Sequence, residues 1–134
     1  MQHVKISKKE LRNVAKLYES VMSSACNGLF FREGSAYGEE ITAPALKERE
    51  KFWEIVKNEL IERGWVTDVT FKENKITVKG SIESYKNDEP TCHRLRGIIR
   101  HIYETYRNEK LFVSEKKCES TGAKSCVFAI ESID

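Results

Sequence analysis

The sequence is short of several things at once, and each shortage closes off a class of function. Proline occurs twice and glycine seven times in 134 residues, with no Pro/Gly/Ser linker, repeat or low-complexity tract. No domain boundary can be drawn, so residues 1–134 read as one domain. Charge of one sign is lacking too: 23 Lys and Arg against 21 Asp and Glu give a formal net charge of +2. So even a balance argues against nucleic acid or an acidic membrane surface as partner. No uninterrupted apolar run approaches a membrane span, and Met1-Gln2-His3-Val4-Lys5 has no apolar signal core. The expected location is cytoplasmic. The three histidines form no Ser-His-Asp or Cys-His pattern, and no Gly-x-Gly-x-x-Gly awaits a nucleotide.

What the chain does have is enough apolar residues for a core, 40% of the total, set in two periods. Ser7-Lys8-Lys9-Glu10 reads as a capping box. Behind it Leu11, Val14, Ala15, Tyr18, Val21, Met22 and Ala25 recur at helical spacing, which predicts a helix stopping near Gly28. A shorter helix is expected over Leu29 to Gly38. Thr42 can cap a further one, with Pro44 in its first turn, Leu46, Trp53, Val56 and Leu60 as its stripe and Gly64 at its end.

From Trp65 the period changes to two. Residues 65–71 and 75–83 predict a hairpin turning at Lys72-Glu73-Asn74. Pro90 and Thr91 then open a long helix. Its apolar face is Cys92, Leu95, Ile98, Ile99, Ile102, Tyr103 and Tyr106, and Arg94, Arg100, Glu104 and Arg107 point away. Residues 111–117 and 127–133 read as two more strands around a turn-rich segment, Ser120 to Ser125. The predicted class is α+β, with helices packed on a four-stranded antiparallel sheet.

Three of the four cysteines lie in the last third of the chain. Cys92 falls in the first turn of the predicted helix, where free amides and the helix dipole favour a thiolate. Cys118 and Cys126 bracket the last turn, and Glu115 precedes them. In a reducing compartment such cysteines are thiols or metal ligands rather than disulfides. Three thiolates and one carboxylate suit a borderline-soft, four-coordinate ion such as zinc. The net negative charge left over is one that Arg94, Arg96, Lys116, Lys117 and Lys124 are near enough in sequence to offset. The spacing carries a condition. Residues 115 and 118 face opposite sides of a regular strand, so both can ligate only if the chain bulges around Lys116-Lys117. C-x-x-C is absent, His93 and His101 are alternatives to the carboxylate, and three ordinary buried thiols would also fit the spacing.

The run Thr91-Cys92-His93-Arg94-Leu95-Arg96-Gly97, followed by Glu115-Lys116-Lys117-Cys118 and Gly122 to Phe128, resembles the 4-vinyl reductase domain family. Upstream, Gly28 to Gly38, the Gly64-Trp65 step and Ser84-Tyr85 resemble it more loosely. The resemblance implies a zinc site of three Cys and one Glu, as in the phenol-sensing activators that carry this domain, here Cys92, Glu115, Cys118 and Cys126. With four protein ligands that zinc would be structural. The resemblance also implies a ligand-binding fold shared with vesicle-tethering subunits, and a sensor or carrier role for a small hydrophobic or aromatic molecule. Phe30, Trp53, Trp65, Phe71 and Tyr85 would line the apolar pocket, with Phe31, Tyr37 and Phe52 as further candidates. Two alternatives follow: reduction of a vinyl group in tetrapyrrole biosynthesis, implied by the family's name, or a scaffold that pairs as a homodimer or with another protein. A sensor of this length would report to a separate signalling partner. Cys26 stands outside the pattern as a structural or free thiol.

Overall fold

Ser7 opens the first helix through the predicted capping box. Its hydroxyl accepts from the Glu10 amide at 3.1 Å, and the Glu10 carboxylate accepts from the Ser7 amide at 2.9 Å. In this computed structural model, which describes residues 2–133, helix α1 spans Lys8–Met22. It does not reach Gly28. At Ser23 the backbone turns to φ 53°, and a turn of 3₁₀ helix, Ser23–Ala25, leads into α2, Cys26–Leu46.

α2 absorbs both the short helix expected over Leu29 to Gly38 and the start expected at Thr42. The correction lies in what its glycines do. A Cβ on Gly34 would stand 1.9 Å from the Arg94 carbonyl oxygen, and one on Gly97 would stand 2.0 Å from the Phe31 carbonyl oxygen. Glycine is therefore needed where α2 meets α4 (His93–Arg107) backbone against backbone, and that packing outweighs its poor helix propensity. Thr42 is buried in α2 and bonds its hydroxyl to the Gly38 carbonyl oxygen at 3.0 Å instead of capping a new helix. Pro44 sits near the C-terminal end of α2, and α3 begins later, at Phe52–Glu62.

The strands are β1 (Asp68–Phe71), β2 (Lys75–Lys79), β3 (Leu111–Lys117) and β4 (Cys126–Ser132). They form one antiparallel sheet in the order β1-β2-β4-β3, and both predicted hairpins are present. β2 ends sooner than expected, leaving residues 80–92 as an irregular strap to α4. Val69, Ile76, Val78, Leu111, Val113, Phe128 and Ile130 alternate onto the buried face. α3 packs against β1 and α4 against β3, while α2 lies against both helices and adds Ile41 and Ala45 to the core. α1 is the exception, with no buried residue. No helix among the described residues is long and apolar enough to cross a membrane.

Candidate metal centre and neighbouring cavity

The bulge that the ligand spacing demanded is present. β3 pairs Glu115 with Phe128 and Lys117 with Val127, so Lys116 is an extra residue and the register shifts across it. The bulge resets the pleat and lets Glu115 and Cys118 serve the same side. Cys118 follows the end of β3, Cys126 opens β4, and Cys92 is the N-cap of α4, one position before the first turn assigned to it from sequence. Their sulfurs lie 3.9 Å (Cys92–Cys118), 3.7 Å (Cys92–Cys126) and 4.0 Å (Cys118–Cys126) apart. All three are buried free thiols. One ligand atom from each of Cys92, Glu115, Cys118 and Cys126 falls within 4.8 Å of the others, a set that could hold a metal ion.

A polar shell fastens the strap to this cluster. The Ser81 hydroxyl is 3.2 Å from Cys92 Sγ, and the Ser84 hydroxyl is 3.5 Å from Cys92 Sγ and 3.6 Å from Cys126 Sγ. The Glu119 amide donates to Cys126 Sγ at 3.3 Å. Its carboxylate accepts from the Gly80 and Ser81 amides at 3.0 and 3.1 Å. Ser120 accepts from the Tyr85 amide at 3.1 Å and, through its carbonyl, from the Asn87 amide at 3.0 Å. Sequence reasoning missed these residues. Adjacency to Cys118 was the available signal for Glu119 and Ser120, and the looser family resemblance at Ser84-Tyr85 was the one for Ser84; Ser81 offered none.

Four acids packed together cannot all ionise unaided. Burial, and then the charge of Cys118, push the Glu115 carboxyl up to about 9, and neither of its oxygens has a hydrogen-bond partner. Hydrogen bonding to Cys118 raises the Cys92 thiol and pushes Cys126 up to about 12, whereas bonds from Cys126 and Cys92 lower Cys118. Like charges at these separations oppose one another, and a cation is what would allow the full set to deprotonate. Arg96, half-buried, lies within electrostatic reach of Glu115. His93 and His101 are not in the four-residue cluster. Burial pushes His93 down to about 4, and His101 packs against Gly38.

A cavity of about 410 Å³ lies beside the strap, between α1, the start of α2 and the start of α4. Phe30 and Tyr85 share its wall, together with Arg12, Glu19, Glu83 and Arg94. The other aromatic candidates are placed elsewhere. Trp53 stands 5.0 Å from Phe71 and 4.8 Å from Tyr103, ring to ring, and Trp65 packs 5.5 Å from Tyr37. Glu83 builds the cavity's floor. Its carboxylate caps α4 by accepting from the Arg94 and Leu95 amides at 3.1 and 2.8 Å. Arg94, expected to point outward, is 5% exposed. It pairs with Glu33 at 2.8 Å and Glu83 at 3.5 Å and lies 4.2 Å from the Phe30 ring centre. Burial pushes Glu83 up to about 7 against the pull of these donors.

The segment that contributes every cluster residue has a recognisable relationship. Residues 74–132 match the V4R domain. The V4R match runs from the turn of the first hairpin through β4, and leaves α1, α2, α3 and β1 outside it. No curated protein matches the sequence. Among solved structures, the phenol-responsive sensory domain of the transcription activator PoxR, determined with phenol, superposes with a TM-score of 0.82 at 15% identity, covering 98% of this chain and 77% of that one. A vinyl-4-reductase family protein from Methanocaldococcus jannaschii gives 0.72 at 19% identity, covering 99% and 85%. An H-NOX protein from Shewanella oneidensis gives 0.59 at 13% identity, covering 100% and 80%. At these identities the likeness is one of fold, and it extends over the helices that the V4R match omits.

Proposed function

We propose that this chain is a small-molecule-binding sensor or carrier domain, built around a structural zinc ion held by Cys92, Glu115, Cys118 and Cys126. The observation that carries the reading is the spacing of the sulfurs, 3.7 to 4.0 Å. A tetrahedron with Zn–S bonds of about 2.3 Å has edges of about 3.8 Å. The carboxylate of Glu115, buried without a hydrogen-bond partner, supplies the remaining ligand. Four protein ligands leave no open position for water or substrate, so the ion would clamp α4, the strap and the β3–β4 hairpin together. Arg96 would offset part of the surplus negative charge.

The small molecule would occupy the cavity walled by Phe30 and Tyr85, whose volume of about 410 Å³ is that of an ordinary ligand pocket. The phenol found with the PoxR domain supports a ligand with an aromatic or hydrophobic body. Leu17 and Val21, exposed along α1, support pairing with a second copy or a separate partner.

Elemental analysis combined with native mass spectrometry of undialysed protein tests both halves. The expected result is about one zinc per chain, by the ligand count of a closed site, with retained small molecule as added mass. A folded, metal-free protein whose four cysteines titrate freely would overturn the zinc reading.

A further inference from the structure

The charges around the cavity do not cancel. Arg94 is already matched twice, by Glu33 at 2.8 Å and Glu83 at 3.5 Å. Among the remaining lining side chains, Arg12 is the one cation, set against Glu19, Asp88 and Glu89. The two aromatic walls are both faced by guanidinium groups of the chain itself. Arg12 stands 5.6 Å from the Tyr85 ring centre and Arg94 stands 4.2 Å from that of Phe30. The negative face of an aromatic ring attracts cations, more strongly as water is excluded. The same potential is felt at the Tyr85 hydroxyl, which is raised by burial and then by the charge of Glu19, with Arg12 opposing.

Arg12 is replaceable in a way that Arg94 is not. It projects from α1, which buries no residue, whereas the Arg94 side chain is locked between two carboxylates. We infer that the cavity binds a small organic cation, an amine or quaternary ammonium carried on an apolar or aromatic body, which takes the place of Arg12 over Tyr85 with Glu19 as its counter-charge. This rests on the cavity being the ligand site. An anion would be driven against three carboxylates, Glu19, Asp88 and Glu89. A neutral ring would fill the space and leave their field unanswered.

The test is calorimetric titration of the full, metal-replete chain with benzyltrimethylammonium, benzyl alcohol and benzoate in parallel. Benzyltrimethylammonium is expected to bind roughly tenfold tighter than benzyl alcohol, and benzoate not at all. Glu19→Gln should weaken the cation several-fold. Arg12→Gln should tighten it by removing the resident competitor, and Tyr85→Leu should erase its advantage over the alcohol. Positions 12 and 19 are exposed on α1, so these variants should keep the wild-type melt. Tighter binding of benzyl alcohol or benzoate, dependent on Tyr85, would overturn the cation assignment and leave the cavity as the ligand site. A cation weakened by Arg12→Gln would do the same. If none of the three binds, or none responds to Tyr85→Leu, both readings fall.

Discussion

The two ends of this molecule are held by opposite means. Around the cysteine cluster the tying groups are buried and redundant: Cys92, Cys118 and Cys126 are fully buried, and Glu119 alone accepts from Gly80, Ser81 and Ser84. Around α1 nothing is buried. That helix is held by its own cap, by the Lys8 ammonium donating to the Ser81 carbonyl at 3.3 Å, and by Tyr18 stacked on Phe30 at 5.7 Å. A helix of 15 residues is marginal by itself. Buried ties are concentrated where a metal ion would sit, and exposed ones lie beside the cavity where a ligand would enter.

The sharpest way to break the contrast is to remove one thiol from each end. Cys118→Ser should lower stability on the order of 4 kcal/mol or more, because losing a ligand weakens metal binding that contributes to folding. Cys26→Ser should cost about 1 kcal/mol, since Cys26 is buried but bonds only locally, to the Ser23 carbonyl and Asn27. Denaturant melts with and without chelator give the comparison, and chelator should destabilise the wild type while sparing Cys118→Ser. Equal losses at the two sites would mean that the cluster does not hold an ion.

Two glycines of α2 make the next pair. Gly34→Ala should cost about 3 kcal/mol, because its methyl meets the Arg94 carbonyl at 1.9 Å and backbone cannot step aside. Gly28→Ala, with nothing within 4 Å, should stabilise by about 0.5–1 kcal/mol from helix propensity alone. Thermal melts read both, and a loss at Gly28 would show that this turn of α2 packs more closely than its surroundings indicate.

The smallest effect pairs two carboxylates that cap helices. Glu83 is raised from 4.5 to about 7, so between those values the folded chain holds a proton that the unfolded chain has lost. Its contribution therefore falls as pH rises through that window. Glu10 is lowered by its bonds to Ser7, so what it contributes is present above its unfolded pKa and lost as pH falls below it. Stability measured from pH 4 to 8 should flatten with Glu83→Gln, while Glu10→Gln should alter only the acid limb. An unchanged slope in Glu83→Gln would show that its carboxyl is ionised throughout.

Much of this was legible beforehand because it depended on neighbours in sequence. The Ser7 box, both hairpins and the α4 stripe are local or periodic signals. Even the bulge at Lys116 could be inferred, since two ligands three residues apart on a strand require one. The continuity of α2 was not legible. Gly34, Gly38 and Pro44 carry the chemistry of helix ends, and the contact that makes the glycines necessary comes from α4, about 60 residues away. Arg94 failed as an outward residue for the same reason: its partners, Glu33 and Glu83, lie on other elements. The strap was missed as well, because the contacts from Ser81 and Ser84 to Cys92 and Glu119 follow no period.

The chain distances between the cluster residues set an order of assembly. Cys118 and Cys126 are 8 residues apart, whereas Cys92 is 26 from Cys118. Closing the longer loop costs only about 1 kcal/mol more in chain entropy, but it must also carry α4 and the strap into place. With an ion present, the β3–β4 hairpin can chelate it first through Glu115, Cys118 and Cys126, and Cys92 then arrives with its helix already formed behind it. The ion would be captured by a short, fast-forming piece of chain and would recruit the slower one, so a cluster with three fully buried thiols is also where folding can begin.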